Sequence, residues 1–334
     1  MQRVLVTGGA GYIGSHCCKA LAAAGYEPVV FDNLSTGHRT FCRFGPLIPG
    51  DVRDADELER AFQSMAPVAV MHFAAQSLVG ESTARPFDTY DVNVNGTLTL
   101  LRTMLNHNVR NIVFSSTCAV YGPADRLPIA ETTSLNPISP YGRSKLMVEQ
   151  IFDDFDAAYG IRSARLRYFN AGGADPSGLI GEWHEPETHL IPVVLDVAMG
   201  LRKALKVNGG AYPTSDGTAV RDYIHVDDLA EAHVAALRYL IDGDASVAVN
   251  VGTGVGSSVD EVVRAVERVT GRPVATQSGP PRQGDPAELV ADPALAKSMF
   301  DWRATRDLDT IIADAWSWHQ SLRRHETVHH KESV

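Results

Sequence analysis

Tyr141 and Lys145 stand four residues apart in Ser139-Pro140-Tyr141-Gly142-Arg143-Ser144-Lys145. A phenol beside an ammonium can move protons. Ser139 is a good N-cap and Pro140 suits a first helical position, so a helix begins here with both side chains on one face. A phenol of pKa ~10 is neutral at pH 7. A neighbouring cation favours the phenolate. Bringing the value to neutrality takes about 4 kcal/mol, which calls for a second positive charge at the ring. An oxidised nicotinamide would be that charge. Alone, Tyr-x-x-x-Lys is a weak signal, since a solvated surface pair has the same spacing.

The elements around the pair supply the context. Val4-Leu5-Val6-Thr7 reads as a buried strand, followed by Gly8-Gly9-Ala10-Gly11-Tyr12-Ile13-Gly14 and a helix to about Ala24. Gly8, Gly11 and Gly14 permit a tight turn and close backbone approach to a pyrophosphate at a helix N-terminus. A second strand, residues 28–31, ends at Asp32, an acid that would bind a ribose diol and repel a 2′-phosphate. NAD is therefore expected over NADP. Leu47-Ile48 leads to Asp51-Val52 as an adenine-side contact, residues 54–65 read as a helix, and 68–75 read as a buried strand. A long helix is expected over 86–107, then a strand at 111–114 delivering Ser115-Ser116-Thr117. The helix from Ser139 runs to about Tyr159 and a strand follows at 163–168. This alternation predicts an α/β fold with a doubly wound parallel sheet of the Rossmann type. Ligands bind beyond the carboxyl ends of such strands, where Gly8–Gly14, Asp32, Ala74-Ala75, Thr117 and Phe169-Asn170 all fall.

Texture changes after Asn170. Residues 1–170 are expected to form the NAD-binding domain, with 227–250 returning to it. Residues 171–226 and 251–324 form a smaller α/β substrate-binding domain, with a helix near 190–201, and 325–334 a flexible tail. Net charge is −10, so nothing suggests affinity for nucleic acid or an anionic membrane. No signal peptide or long apolar run is seen, and Cys17, Cys18, Cys42 and Cys118 lack any C-x-x-C spacing. Reduced thiols and a cytoplasmic location are expected. Two motifs are set aside. Gly252-Thr253-Gly254-Val255-Gly256 lacks an acid-ended partner strand and reads as a plain loop. His184-Glu185-Pro186-Glu187-Thr188-His189 is one residue too long for a zinc helix and Pro186 prevents one, so no metal is expected.

The glycine motif, Asp32, Ser115-Ser116-Thr117, Tyr141-x-x-x-Lys145 and Arg221-Asp222-Tyr223-Ile224-His225-Val226 together resemble the extended short-chain dehydrogenase/reductase family, over nearly the whole chain to about residue 320. Val79-Gly80-Glu81-Ser82, Asn93-Val94-Asn95-Gly96-Thr97 and Tyr168-Phe169-Asn170 resemble its UDP-sugar 4-epimerases. The resemblance implies NAD-dependent inversion at C4 of a UDP-sugar through a transient 4-keto form. UDP-glucose and UDP-galactose are the expected pair, with UDP-N-acetylhexosamines or UDP-pentoses as alternatives. Tyr141 would take the proton of the 4-hydroxyl, Lys145 would lower the tyrosine's pKa and hold the nicotinamide ribose, and Thr117 would hydrogen-bond the 4-oxygen. Tyr12, Ile13, Asn33, Asp51, Val52, Phe73, Ala74, Ala75, Ser115 and Phe169 would complete the cofactor contacts. Arg221 and Arg282 would pair with the diphosphate. Asp285 would bind the uridine ribose, Asn170 and Leu190 would line the pocket, and Asn208 stands where an aromatic usually faces the uracil. Ser77 and Val92 depart from the family pattern and weaken the implied cofactor contacts. Leu289 replaces a tyrosine that restricts some members to unsubstituted hexoses. The helices over 86–107 and 139–159 imply a homodimer.

Two other readings are weighed. Nucleotide-sugar 4,6-dehydratases carry an Asp-Glu pair after the threonine, whereas Cys118-Ala119 follow Thr117. A non-catalytic NAD sensor would have lost one of Thr117, Tyr141 or Lys145, and all three are present.

Overall fold

In the computed structural model, residues 1–281 and 286–332 are described, those from 323 on by backbone alone. The first six strands are β1 (Arg3–Thr7), β2 (Glu27–Asp32), β3 (Leu47–Pro49), β4 (Ala69–His72), β5 (Asn111–Ser115) and β6 (Arg162–Tyr168). The chain then builds β7 (Asn170–Gly172), β8 (Leu205–Asn208) and β9 (Val220–His225). After these, β10 (Val247–Val251) pairs with β6, and β11 (Gly256–Ser258), β12 (Thr276–Gly279) and β13 (Glu288–Leu289) follow. A seven-stranded parallel sheet results, ordered β10-β6-β5-β4-β1-β2-β3. Strand order reverses between β1 and β4, the switch point at which such sheets open a crevice for ligands.

Eleven helices are labelled here: α1 (Tyr12–Ala23), α2 (Ala55–Met65), α3 (Val79–Ala84), α4 (Pro86–Tyr90), α5 (Gly96–Asn106), α6 (Pro140–Tyr159), α7 (Leu190–Ala198), α8 (Val226–Ile241), α9 (Val259–Thr270), α10 (Ala294–Phe300) and α11 (Leu308–Glu332). Both faces of the sheet are covered, so its strands are apolar throughout rather than alternating. Val4 and Val6 pack with Leu21 and Cys17 of α1 and Leu229 and Leu237 of α8. Leu5, between them, faces the other layer with Leu58, Phe62, Leu101 and Phe152. All four cysteines are free thiols, and Cys17 and Cys18 serve as buried filler. A separate core joins α7, α9 and α11 through Leu195, Val262, Val266 and Ile311. It lies under a sheet in which β7, β11 and β13 all flank β9. No helix among the described residues is long and apolar enough to cross a membrane.

Three boundaries differ from the sequence reading. The strand expected over 68–75 stops at His72, because Phe73 and Ala74 turn and both donate their amides to Thr7 O, at 2.9 and 3.1 Å. The helix expected over 86–107 is divided by a π-helical turn, Asp91–Asn95. Such a widened turn is often found at functional sites. The segment expected to be a flexible tail from 325 is helical to Glu332, in a stretch without proline or glycine.

Candidate active site

Beyond the carboxyl end of β1 the glycines are there for space. Gly8 has φ +73°, and a Cβ on it would lie 2.6 Å from the Ala74 amide. A Cβ on Gly14 would lie 2.3 Å from the Gly8 carbonyl oxygen. Gly11 is the N-cap of α1 and no side chain caps that end, so first-turn amides, those of Tyr12 and Ile13 among them, face the crevice. The donor set suits an anion such as a pyrophosphate. Asp32 is buried at the end of β2, where its carboxylate accepts from Ala10 N at 3.0 Å and Leu34 N at 2.8 Å. Burial pushes its pKa up while both amides pull it down. Asp32 therefore shapes the glycine turn as well as facing the crevice. Next door, Asn33 donates to Asp51 (2.9 Å), which Arg53 grips through Nε and Nη2 at 2.9 and 2.7 Å. These bonds hold the Asp51 carboxyl well below the usual carboxylate range. Val52 packs on the Gly96 backbone, where a Cβ would come within 2.8 Å. Together the glycine turn, the uncapped helix end and Asp32 form a cradle fitted to a dinucleotide.

The Ser139 hydroxyl accepts from Gly142 N at 3.1 Å and Pro140 takes the first helical position, so α6 begins where expected. Tyr141 and Lys145 are both buried. Lys145 Nζ donates 2.8 Å to Ser115 O, lies 4.6 Å from the Phe114 ring centroid and 5.9 Å from that of Tyr141. Burial lowers the Lys145 pKa to about 7, against an opposing pull from Glu149. Glu149 sits one turn along, but Arg167 (2.5 Å) and Ser116 (2.5 Å) already engage it. Burial also pushes the Tyr141 phenol well above its ordinary value, with Tyr168 adding to the rise and a hydrogen bond from Thr117 opposing it. The expectation that Lys145 acidifies Tyr141 concerns the pair with a nicotinamide charge at the ring. In the protein by itself both groups drift toward neutrality, because removal from water outweighs an ammonium that is itself half lost.

On the other side of the pocket Phe169 is buried with Cys118, Tyr121, Ile129 and Ala291, and Leu289 packs against this group. Leu289 is paired with Arg221 across β13 and β9, and Asn170 with Tyr223 across β7 and β9. Arg221 Nη1 donates to Val220 O at 2.7 Å. Leu190 opens α7. Asn208 lies apart, in the two-stranded sheet of β8 and β12. Arg282 and Asp285 lie outside the described residues. The Gly252–Gly256 loop is wrapped around buried Asp222, which accepts from Thr253 N, Thr253 Oγ1, Gly254 N and Ala291 N. A Cβ on Gly252 would lie 2.6 Å from that carboxylate. Its glycines thus serve the aspartate.

Several positioning residues carry no role in the sequence reading. Asn93, in the π turn, accepts from Gln76 N (2.8 Å) and donates to Gln76 O (3.1 Å) and Ser144 Oγ (2.8 Å). Val92, flagged as a departure, is its immediate neighbour. Ser82 Oγ accepts from Tyr141 N at 3.2 Å, and Ser115 Oγ meets Tyr168 Oη at 2.7 Å. The motifs containing Asn93, Ser82 and Tyr168 were visible in the sequence, but a polar side chain aimed at a neighbouring loop leaves no periodic trace.

The sequence matches the family described as "NAD dependent epimerase/dehydratase family" over residues 4–252. It is 51% identical over 324 residues to a UDP-glucose 4-epimerase of Rhizobium leguminosarum bv. trifolii, covering 97% of this chain and 99% of that one. The structure is similar to that of UDP-glucose 4-epimerase from Brucella ovis in complex with NAD (TM-score 0.93, 50% identity, 95% and 98% of the two chains). It is also similar to UDP-glucose-4-epimerase from Stenotrophomonas maltophila with bound NAD and formylated UDP-arabinopyranose (TM-score 0.94, 42% identity, 97% and 100%).

Proposed function

The chain belongs to the NAD dependent epimerase/dehydratase family, and from that premise we propose that it is an isomerase that inverts C4 of a UDP-sugar, the UDP-glucose/UDP-galactose pair first. The observation that supports the reading is the grouping of buried Tyr141, Thr117 and Lys145, with Thr117 hydrogen-bonded to Tyr141 and Lys145 Nζ 5.9 Å from its ring, in a chain whose Gly8–Gly14 turn leaves room for a dinucleotide. Bound NAD supplies a two-electron acceptor that can return what it takes, so the net reaction is an isomerisation. The chain's own groups do the rest. Tyr141 takes the proton of the 4-hydroxyl and gives it back, Thr117 holds its oxygen in line, and Lys145, with the nicotinamide charge of bound NAD beside it, lowers the phenol's pKa and holds the nicotinamide ribose. Asp32 binds the adenosine ribose. Arg221, with Arg282, grips the diphosphate, while Asp285 and Asn170 hold the rest of the nucleotide side. The sugar is held loosely between Thr117, Phe169 and Leu289, which leaves the 4-keto form room to turn over.

The experiment is interconversion of UDP-galactose and UDP-glucose by the purified protein. Tyr141→Phe lowers it by ~10²–10⁴-fold with folding intact. Undiminished turnover in that variant would end this reading. A UDP-hexose, UDP-N-acetylhexosamine and UDP-pentose panel ranks the sugars.

We infer a homodimer through α4, α5 and α6. Phe87 is 79% exposed, and Leu98 and Met147 flank it on the same apolar surface. Sedimentation at micromolar concentration checks it, a monomer counting against. A cytoplasmic location accords with four free thiols.

A further inference from the structure

We propose that Glu182, His184, Glu187 and His189 form a divalent transition-metal site of the zinc class. Their ligand atoms all lie within 4.8 Å of one another. His189 Nδ1 is 2.9 Å from Glu182 Oε1 and 3.1 Å from Glu187 Oε1. His184 Nδ1 is 3.5 Å from Glu182 Oε1 and 3.4 Å from Glu187 Oε2. Four ligands ~2.1 Å from a tetrahedral zinc ion stand ~3.4 Å from each other. The His184 separations match that spacing and are long for hydrogen bonds. His184 Nδ1 is buried and has no hydrogen-bond partner, a vacancy that a metal would fill. Two neutral imidazoles, two carboxylates and a divalent cation sum to zero charge, so the assembly can be buried.

The frame around the four is already set. Glu187 Oε1 accepts from Thr188 N (2.7 Å) and His189 N (2.8 Å), which leaves Oε2 directed at His184. Trp318 Nε1 donates to Glu182 O at 2.9 Å, fixing the backbone of the buried glutamate. The Tyr12 ring meets His184 edge-on at 6.3 Å, and Trp183 stacks on His38 at 3.9 Å. The sequence objection to a metal was that the spacing does not fit a helix. These residues form an extended loop ahead of α7, where helical spacing has no bearing. Four protein ligands close the site, so its role is structural. It ties the strand-like loop before Leu190 to Tyr12 on α1.

The test uses the untagged NAD-bound enzyme, first treated with chelator. Addition of CoCl2 gives the visible absorption of tetrahedral cobalt, and reloading with ZnCl2 leaves one zinc per chain after dialysis. Glu182→Gln and His184→Gln each reduce retained metal by about tenfold or more. Because either variant could misfold, far-UV circular dichroism and bound NAD are read in parallel on each. A third variant, His329→Ala with His330→Ala, keeps its full metal content. Absence of cobalt absorption and of retained zinc in the wild-type enzyme overturns the proposal and leaves two ion pairs. Metal that persists in both ligand variants and disappears from the C-terminal one overturns it equally.

Discussion

Two clusters of ionisable groups, one buried and one only partly so, behave in opposite ways. At Tyr141 and Lys145 burial strips charge away, driving the phenol up and the ammonium down to about 7. At Glu182, His184, Glu187 and His189 burial is overcome by opposite charges at contact distance. There His184 is raised to about 9 and His189 to about 10. The loop cluster is shallower, with His189 exposed, and its carboxylates lie at contact distance. Glu149, which could have held Lys145 charged, is already committed to Arg167 and Ser116. Tyr141 and Lys145 are therefore left without a compensating charge from the protein, whereas the loop histidines have carboxylates close by.

The comparison breaks most completely at the sheet side. Gly14→Ala puts a methyl against the Gly8 carbonyl, and the variant retains NAD at least about tenfold less than wild type, measured as cofactor released per chain. Asn93→Leu removes all three bonds that lock α6 to the Gln76 loop. Tyr141 then shifts, and kcat falls by ~10²-fold with a smaller change in KM. Leu289→Tyr adds bulk on the cap side, beside Phe169. Turnover of UDP-N-acetylgalactosamine relative to UDP-galactose drops by about tenfold, and an unchanged ratio would sink the gate idea.

The smallest effect is on stability. Lys145 has a folded pKa of about 7 against an ordinary 10.5. From pH 7 to pH 10 the unfolded chain binds more protons at this position, so its contribution to stability rises with pH across that window. Below pH 7 the folded state carries the whole cost of a buried cation. Lys145→Met removes this dependence. Melting temperatures of wild type and variant, taken without added cofactor, differ most at pH 7 or below and converge toward pH 10.

What could be read in advance followed from local rules. Ser139-Pro140 announces the start of α6, and the strand-glycine-helix-strand-acid run announces the cradle, since each depends on neighbours in sequence. The burial that lowers Lys145's pKa and Glu149's commitment to Arg167 and Ser116 were not legible, because spacing reveals neither. The π turn at Asn93 replaced an unbroken helix for a similar reason: its widening serves a loop 17 residues back. The Glu182–His189 cluster was measured against a helical template and rejected, though its ligands meet in an extended loop. Arg282 and Asp285 rest on resemblance alone.

The pairing of β10 with β6 has a consequence for how the molecule is made. Some eighty residues separate the two strands along the chain, so the sheet stays one strand short while everything between them is being synthesised. Until then β6 presents an open row of backbone donors and acceptors, the kind of edge that recruits foreign strands. A nascent or truncated chain ending before Val247 would expose that edge, and a chaperone binding there would be shielding an unfinished boundary.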